Sequence, residues 1–327
     1  MRIRIPQLKA LVAPLVLALG ATLAHAATDY PTKTVRLVLP QPAGSPTDAV
    51  GRILSQALAE RWKQPVIVDN KPGAGGRVAY ESVAHAAPDG HTLVGTASAL
   101  TTFPYLFKDL GFNPEKDFTP ITQLISNVAV LVIPSNVPAK TLPEFLNWAK
   151  ANKGKVNYGS PGHGTGVNMT IEVFNMATGA GLLEIPFPGV PQYLQAFLRG
   201  DVQLIVLPLS QATPYVNDDK MRVVASIGDK RFPELPNVPS LKETGWFDYV
   251  PVSWQGLSAP SGTPKDVIDK IATDVIGVLR TPAAVEQIKK ATGAVVVGST
   301  PEEHAAMVRA EFKLWGEMAA RLGMKPQ

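Results

Sequence analysis

Four histidines, His85, His91, His163 and His304, and not one cysteine make up the reactive inventory after the first 26 residues of this 327-residue chain. Without cysteine there is no thiolate nucleophile, iron–sulfur cluster, cysteine zinc site, disulfide framework or lipid-modified N-terminal cysteine. The histidines form no H-E-x-x-H or facial-triad pattern, and His85 and His91 straddle a turn, which reads as a solvated or structural role. There is no G-x-S-x-G elbow, and Ser160 with His163 is only a turn. Pro72-Gly73-Ala74-Gly75-Gly76 looks like a phosphate loop, but a G-x-G-x-x-G match needs glycine at Val78. Gly162-His163-Gly164 fails likewise at Val167, and no Walker lysine follows either. The residue types therefore point to binding rather than to conversion, with no cofactor and no metal expected.

Two glycine-bearing turns have the chemistry to hold an anion. The first runs Gln41-Pro42-Ala43-Gly44-Ser45-Pro46-Thr47-Asp48 and the second Ser160-Pro161-Gly162-His163-Gly164-Thr165. Each follows a strand-like run and opens a helix. A helix N-terminus presents unpaired N–H groups and about half a positive charge, so it can hold a carboxylate without a side-chain cation. The hydroxyls of Ser45, Thr47, Ser160 and Thr165 add donors. The same residues also make ordinary capped turns, and the pattern alone leaves both readings open. Ser98, after a third strand-like run, is a further candidate contact.

Alternating strands and helices must position these turns. Thr34–Pro40 is a short β-branched run that reads as a buried strand. Ser45 as N-cap, Pro46 at the first helical position and Asp48 completing a capping box start a helix carrying Val50, Ile53, Leu54, Ala57, Leu58 and Trp62 at helical spacing. Pro65–Asp69 and His91–Thr96 read as strands around a helix at Gly76–Ala86. The resulting β-α-β-α-β order predicts a parallel sheet covered on both faces. A second unit follows with strands at Val128–Ile133, Val156–Gly159, Val202–Leu207 and Met221–Ile227, and helices at Leu142–Asn152, Val167–Thr178 and Pro191–Arg199. The chain then returns to a strand at Trp254–Ala259 and to helices at Lys265–Leu279, Thr281–Thr292 and Pro301–Leu322, with a strand at Ala294–Val297. Irregular stretches near 120–127 and 227–253 read as crossings between two lobes. The expected fold is α/β and two-lobed, each lobe a mainly parallel sheet flanked by helices. Lobe one takes residues 27–125 plus 227–327 and lobe two 126–226. A ligand belongs in the crevice between them, at the carboxyl ends of the strands. Trp62, Trp148 and Trp315 read as core or half-buried residues, Trp254 as a core strand residue near the crossing, and the Glu311/Lys313/Glu317/Arg321 set as a solvated face.

Composition agrees with a folded exported protein. Hydrophobic residues at 45% against 18% charged exclude a disordered chain. Arg2, Arg4 and Lys9, the apolar run from Ala10 to about Leu23 and Ala24-His25-Ala26 together read as a cleavable signal peptide spanning residues 1–26. Its removal leaves 301 residues with 28 basic against 27 acidic side chains, a net charge of +1. No dense Lys/Arg patch remains in the sequence, so nucleic acid is not an expected partner. The periplasm is the expected compartment and a monomer the expected state.

The stretches YPTKTVRLVLPQPAGSPTDAVGR (30–52), QPVIVDNKPGAGGRVAYESVAHAAPDGHTL (64–93), DFTPITQL (117–124), YGSPGHGTG (158–166), LKETGW (241–246), SWQGLSAPSGTP (253–264) and GSTPEEH (298–304) occur in this order. In them the whole chain after residue 26 resembles the Bug-type periplasmic receptors of the tripartite tricarboxylate transporter system. The resemblance implies the two-lobed α/β periplasmic-binding-protein fold, type II-like, a cleft that closes by a hinge, a ligand carboxylate held by the two turns, and hand-over to a separate membrane permease. Four departures bear on the ligand. A first turn like PFPAGGSTD is here PQPAGSPTD, so Gln41 replaces an aromatic residue and Pro46 removes an N–H. Asn168 stands where a histidine is usual. EIPFPG (184–189) replaces a pattern like HVPYKG, and Leu207 stands where an acidic residue is common. An amino-acid ligand would leave its ammonium unpaired at Leu207, which is costly, whereas Gln41 and Asn168 offer both donors and acceptors. The expected ligand is thus a non-amino organic acid, di- or tricarboxylic or aromatic. The same cleft would equally serve a sensor read by a signalling partner. A hydrolase of exported esters is the third possibility, and it lacks an ordered nucleophile–base pair.

Overall fold

Val35–Leu39 (β1) buries every residue but Arg36, and Pro40 ends it. Such a run fits only a strand packed on both faces. The computed structural model describes residues 29–322 and 326, apart from 128, 163–164, 229 and 247–252; the expected signal peptide lies outside them. Ser45 caps Pro46–Trp62 (α1) as expected, its hydroxyl accepting the Asp48 N–H at 3.2 Å. Val66–Asn70 (β2), Arg77–Ala84 (α2) and Thr92–Ala97 (β3) complete the first unit, followed by Ala99–Leu106 (α3) and Phe118–Ser126 (β4).

The second unit holds Ala129–Pro134 (β5), Leu142–Ala151 (α4), Asn157–Ser160 (β6), Gly166–Thr178 (α5), Leu183–Pro186 (β7), Val190–Arg199 (α6), Ile205–Pro208 (β8), Leu209–Asn217 (α7) and Met221–Ile227 (β9). The chain then returns through Trp254–Pro260 (β10), Lys265–Leu279 (α8), Pro282–Thr292 (α9), Val295–Val296 (β11) and Pro301–Leu322 (α10).

A six-stranded sheet has the order β11-β4-β10-β3-β1-β2, a three-stranded sheet the order β8-β5-β9, and β6 pairs with β7. The α/β, two-lobed class stands, but the expectation of mainly parallel sheets needs correction. Among the described strands, β2-β1-β3 and β6-β7 pair in parallel; β10 runs antiparallel to β3 and β4, β11 antiparallel to β4, and β5 antiparallel to both β8 and β9. The reason is where the chain crosses. It leaves the large sheet at Asn127 and returns at Ser253, and these two residues are hydrogen-bonded, Asn127 N–H to Ser253 O at 2.8 Å and Nδ2 to Oγ at 2.9 Å. Strands that depart from and arrive at one point must oppose each other, so β10 opposes β4. By the same logic Ala129 at the start of β5 faces Ile227 at the end of β9.

The stretch expected to be irregular near 120–127 is instead the end of β4. Pro120 lies within it, where only β10 pairs; β11 reaches no further than Ser126 and Ile125. A strand tolerates proline where one side lacks a neighbour.

Apolar side chains fill both faces of the large sheet. Leu37, Leu54, Leu93, Ile271 and Ile288 pack on one side, and Val38, Tyr80, Val94 and Phe103 on the other. The second unit has its own cores, around Leu131, Phe145 and Phe174 and around Tyr193, Phe197 and Leu207. Fully burying each such side chain contributes about 1.5–3 kcal/mol. Trp315 and Met318 of α10 join the Leu131 core, so the last helix starts on one unit and ends in the other.

Candidate functional site

The carboxyl ends of β1 and β3 and the crossing strands converge on a cavity of about 590 Å³. One wall is Gln41, just past β1, with Gly75, Ala97, Ser98, and Ala99, Thr102, Phe103, Leu106 and Phe107 from α3 and its end. The facing wall is Ala129, Pro161, Thr165, Gly166, Val167, Thr170, Val206 and Ile227. Ser253 from the returning crossing and Trp315 from α10 complete it. A second cavity of about 590 Å³ lies under α10 near Thr96, Trp254 and Phe312, and is lined by none of the candidate ligand contacts read from the sequence.

Of those residues the structure brings Gln41, Ser98 and Thr165 to one cavity, the first two on one wall and Thr165 on the facing wall. The rest of the first turn stands beside it. Ala43 and Gly44 are exposed, while Thr47 is buried and donates its hydroxyl to Gln41 Oε1 at 2.6 Å, fixing the amide that borders the cavity. Asp48 is buried; its Oδ2 accepts the Gly44 N–H at 2.9 Å and Arg52 Nε at 2.8 Å. The Arg52 guanidinium, helped by the Gly44 N–H, holds this carboxyl below the usual carboxylate range against its burial. Aspartate is too short to reach back to the Ser45 N–H as a glutamate would in a capping box, so it braces Gly44, whose φ of +82° suits glycine. Ser45 N–H turns back to Pro42 O at 3.2 Å. The N–H groups of Ala43 and Thr47 meet no partner among the described residues.

The second turn is built differently. Ser160 Oγ accepts the Gly162 N–H at 2.9 Å and donates to Glu184 Oε1 at 2.5 Å. Glu184 thereby locks the turn to β7, although Ser160 itself is fully buried, off the cavity wall. Thr165 caps α5, accepting the Asn168 N–H at 3.3 Å and donating to Gly162 O at 2.7 Å. Gly166 and Val167, the first residues of α5, have N–H groups without a partner among the described residues, and both border the cavity. Asn168 is buried behind them and donates to the Tyr158 hydroxyl at 2.8 Å, which donates to Glu172 at 2.5 Å. Burial, with Glu172 accepting that proton, pushes the Tyr158 hydroxyl far above its ordinary range, so it remains a donor. His163 and Gly164 lie outside the described residues.

Leu207 is fully buried in the core while its neighbour Val206 borders the cavity. Alternate residues of a strand face opposite ways, and the phase of that alternation is set by pairing with β5. Sequence reasoning also passed over α3. Leu100, Phe103, Leu106 and Phe107 recur at helical spacing there, but Pro104 inside the segment argues against a helix. Trp315 borders the cavity from more than sixty residues beyond the last strand of its wall, with no local signal.

No charged side chain stands among the described residues of this cavity. What it offers is N–H dipoles at the mouth, amide and hydroxyl groups, and apolar walls. That arrangement can bind and orient an anion, with the helix N-termini supplying positive potential.

A family description, "Tripartite tricarboxylate transporter family receptor", matches residues 50–324. A "UPF0065 protein in gbd 5'region" of Cupriavidus necator is 39% identical over 256 residues, 78% of this chain and 77% of its own length. The solved structure of the periplasmic binding protein BugD superimposes with a TM-score of 0.68 at 30% identity, covering 91% of this chain and all of BugD. MatC from Rhodopseudomonas palustris, solved with bound malate, does so with a TM-score of 0.67 at 30% identity, covering 89% of this chain and all of its own.

Proposed function

The chain belongs to the tripartite tricarboxylate transporter receptor family, and from that membership we propose that it is a periplasmic solute receptor which captures a small organic carboxylate and delivers it to membrane permease subunits of a tripartite transporter. The observation that carries the reading is the α5 N-terminus in the cavity wall, with the turn that opens α1 following Gln41 of the facing wall. Gly166 and Val167 of α5 and Thr47 of α1 have N–H groups without partners among the described residues, and Gln41 and Thr165 stand on facing walls of the cavity.

In this reading a carboxylate lands on α5, and closure brings the Ala43–Thr47 turn over it. Each charge-assisted N–H bond contributes roughly 1.5–3 kcal/mol. Because the ligand meets both turns only in the closed form, binding and closure are linked. Ser160, Asn168 and Asp48 act through the backbone they hold. The lobes are residues 27–125 with 227–327, and 126–226, a division supported by β1–β4, β10 and β11 sharing one sheet. The signal peptide is cleaved after Ala26. The ligand is a non-amino di- or tricarboxylic or aromatic acid, since no carboxylate side chain stands on the described wall to pair with an ammonium. It leaves unchanged, with no chemical step. MatC, with its malate, is a relative holding such an acid.

Thermal shift of residues 27–327 with matched pairs of acids and their neutral amides tests this. A ligand that binds only the folded state raises the melting temperature, by an amount set by its concentration over Kd. Acids are expected to raise it and their amides not. Equal shifts from the amides, or none from any carboxylate, would sink the reading.

A further inference from the structure

The walls of the interlobe cavity narrow the kind of acid. The body of the ligand, beyond the turns, would face Phe103, Leu106 and Phe107 on one side and Val167, Val206 and Trp315 on the other. Phe103 and Phe107 meet edge to face, centroids 5.4 Å apart at 88°. That places one ring edge and one ring face at right angles, an arrangement into which a further ring packs well.

Most threonine hydroxyls of the two walls are already engaged. The hydroxyl of Thr102 donates to Ala99 O at 2.9 Å, that of Thr165 to Gly162 O at 2.7 Å and that of Thr170 to Gly166 O at 2.8 Å. Gln41 Oε1 is taken by Thr47. Among the described residues of the wall there is no lysine, arginine or histidine. One carboxylate is served by the α5 N-terminus; a second, held further in, would lose its water and gain no cation, with only the neutral donors of Ser98, Ser253 and the Gln41 amide left among the described residues of the walls. The volume, about 590 Å³, is within the range of pockets that enclose ligands larger than a four-carbon acid.

Resting on the receptor reading above, we propose that the cargo is a monocarboxylate with an apolar, ring-sized body, an arylalkanoic or cycloalkanoic acid, rather than a hydrophilic di- or tricarboxylate. The carboxylate sits on the α5 N-terminus and the ring lies between Phe107 of lobe one and Val167 and Val206 of lobe two.

Calorimetry with phenylacetate, cyclohexylacetate, malate and citrate on residues 27–327 tests it. The two ring acids are expected to bind at least tenfold more tightly than malate and citrate. Phe107→Ala, a half-buried position at the end of α3, is expected to weaken phenylacetate about tenfold. Malate or citrate binding as tightly as the ring acids overturns the inference while leaving the receptor reading in place, and so does unchanged phenylacetate affinity in Phe107→Ala. If none of the four acids, nor any other carboxylate, binds or raises the melting temperature, the receptor reading falls and the inference with it.

Discussion

His304 is fully buried near the start of α10, its ring edge-on to Trp254 at 5.2 Å, and neither ring nitrogen meets a hydrogen-bond partner among the described residues. Gly256 makes the space, because a Cβ there would fall 2.4 Å from Nε2. Burial of the charged form holds this imidazole down at about 4, against 6.5 when free. The unfolded chain therefore takes up a proton near pH 6.5, and the folded chain only near pH 4. Between those values the unfolded state binds more protons, so stability falls as pH drops through that window, by on the order of 3 kcal/mol in all. Urea unfolding at pH 7 and pH 4.5 is expected to show most of this loss, and His304→Leu to remove most of it. An identical pH dependence in the variant would show that the histidine is not its source. The carboxyls of Asp48 and Asp274, held low in the folded state, contribute below this window: their stabilisation is present above the ordinary carboxylate range and is lost as pH falls through their folded values.

Asp274 shows how elements are tied. It sits on α8 and is almost fully buried, yet accepts Arg61 Nε and Trp62 Nε1 of α1, each at 2.6 Å, and also Lys270. Burial pushes its carboxyl up, but the bonds from Lys270, Trp62 and Arg61 outweigh it and hold the group ionised. Removing it leaves the Trp62 N–H unpaired in the core, while both cations still reach water. Asp274→Ala is expected to cost roughly 2–4 kcal/mol in chemical denaturation. Asp274→Asn, which keeps a carbonyl acceptor, is expected to cost less, and an equal cost would point to packing instead.

Caps of this kind are why many helix starts were legible beforehand. Ser45-Pro46, Thr141 with Glu144 and Thr300 with Glu303 mark three helices that form where they indicate. Elements without such marks were not. Pro104 disguised α3 and Pro120 disguised β4, and both are held by packing that no local pattern encodes. The two turns of the site could be read because glycine and hydroxyl residues signal their backbone directly. Which side of β8 meets the cavity depends on pairing with a strand more than seventy residues earlier in the chain, so Leu207 and Val206 could not be told apart.

At the scale of the whole molecule, two crossings and one helix join the units. Asn127 and Ser253 lie side by side, and α10 extends from the large sheet into the Leu131 core. In the proposed function, closure about the crossings would carry the end of α10 with it or slide past it. Trp315 stands where that motion and the cavity meet, and it alone of the five tryptophans borders the cavity. The protein thus contains its own optical probe. Occupancy is expected to change the intrinsic fluorescence of the unlabelled receptor, and Trp315→Phe to silence that response while the other four indoles go on emitting; a response that survives the substitution would place the reporting ring elsewhere.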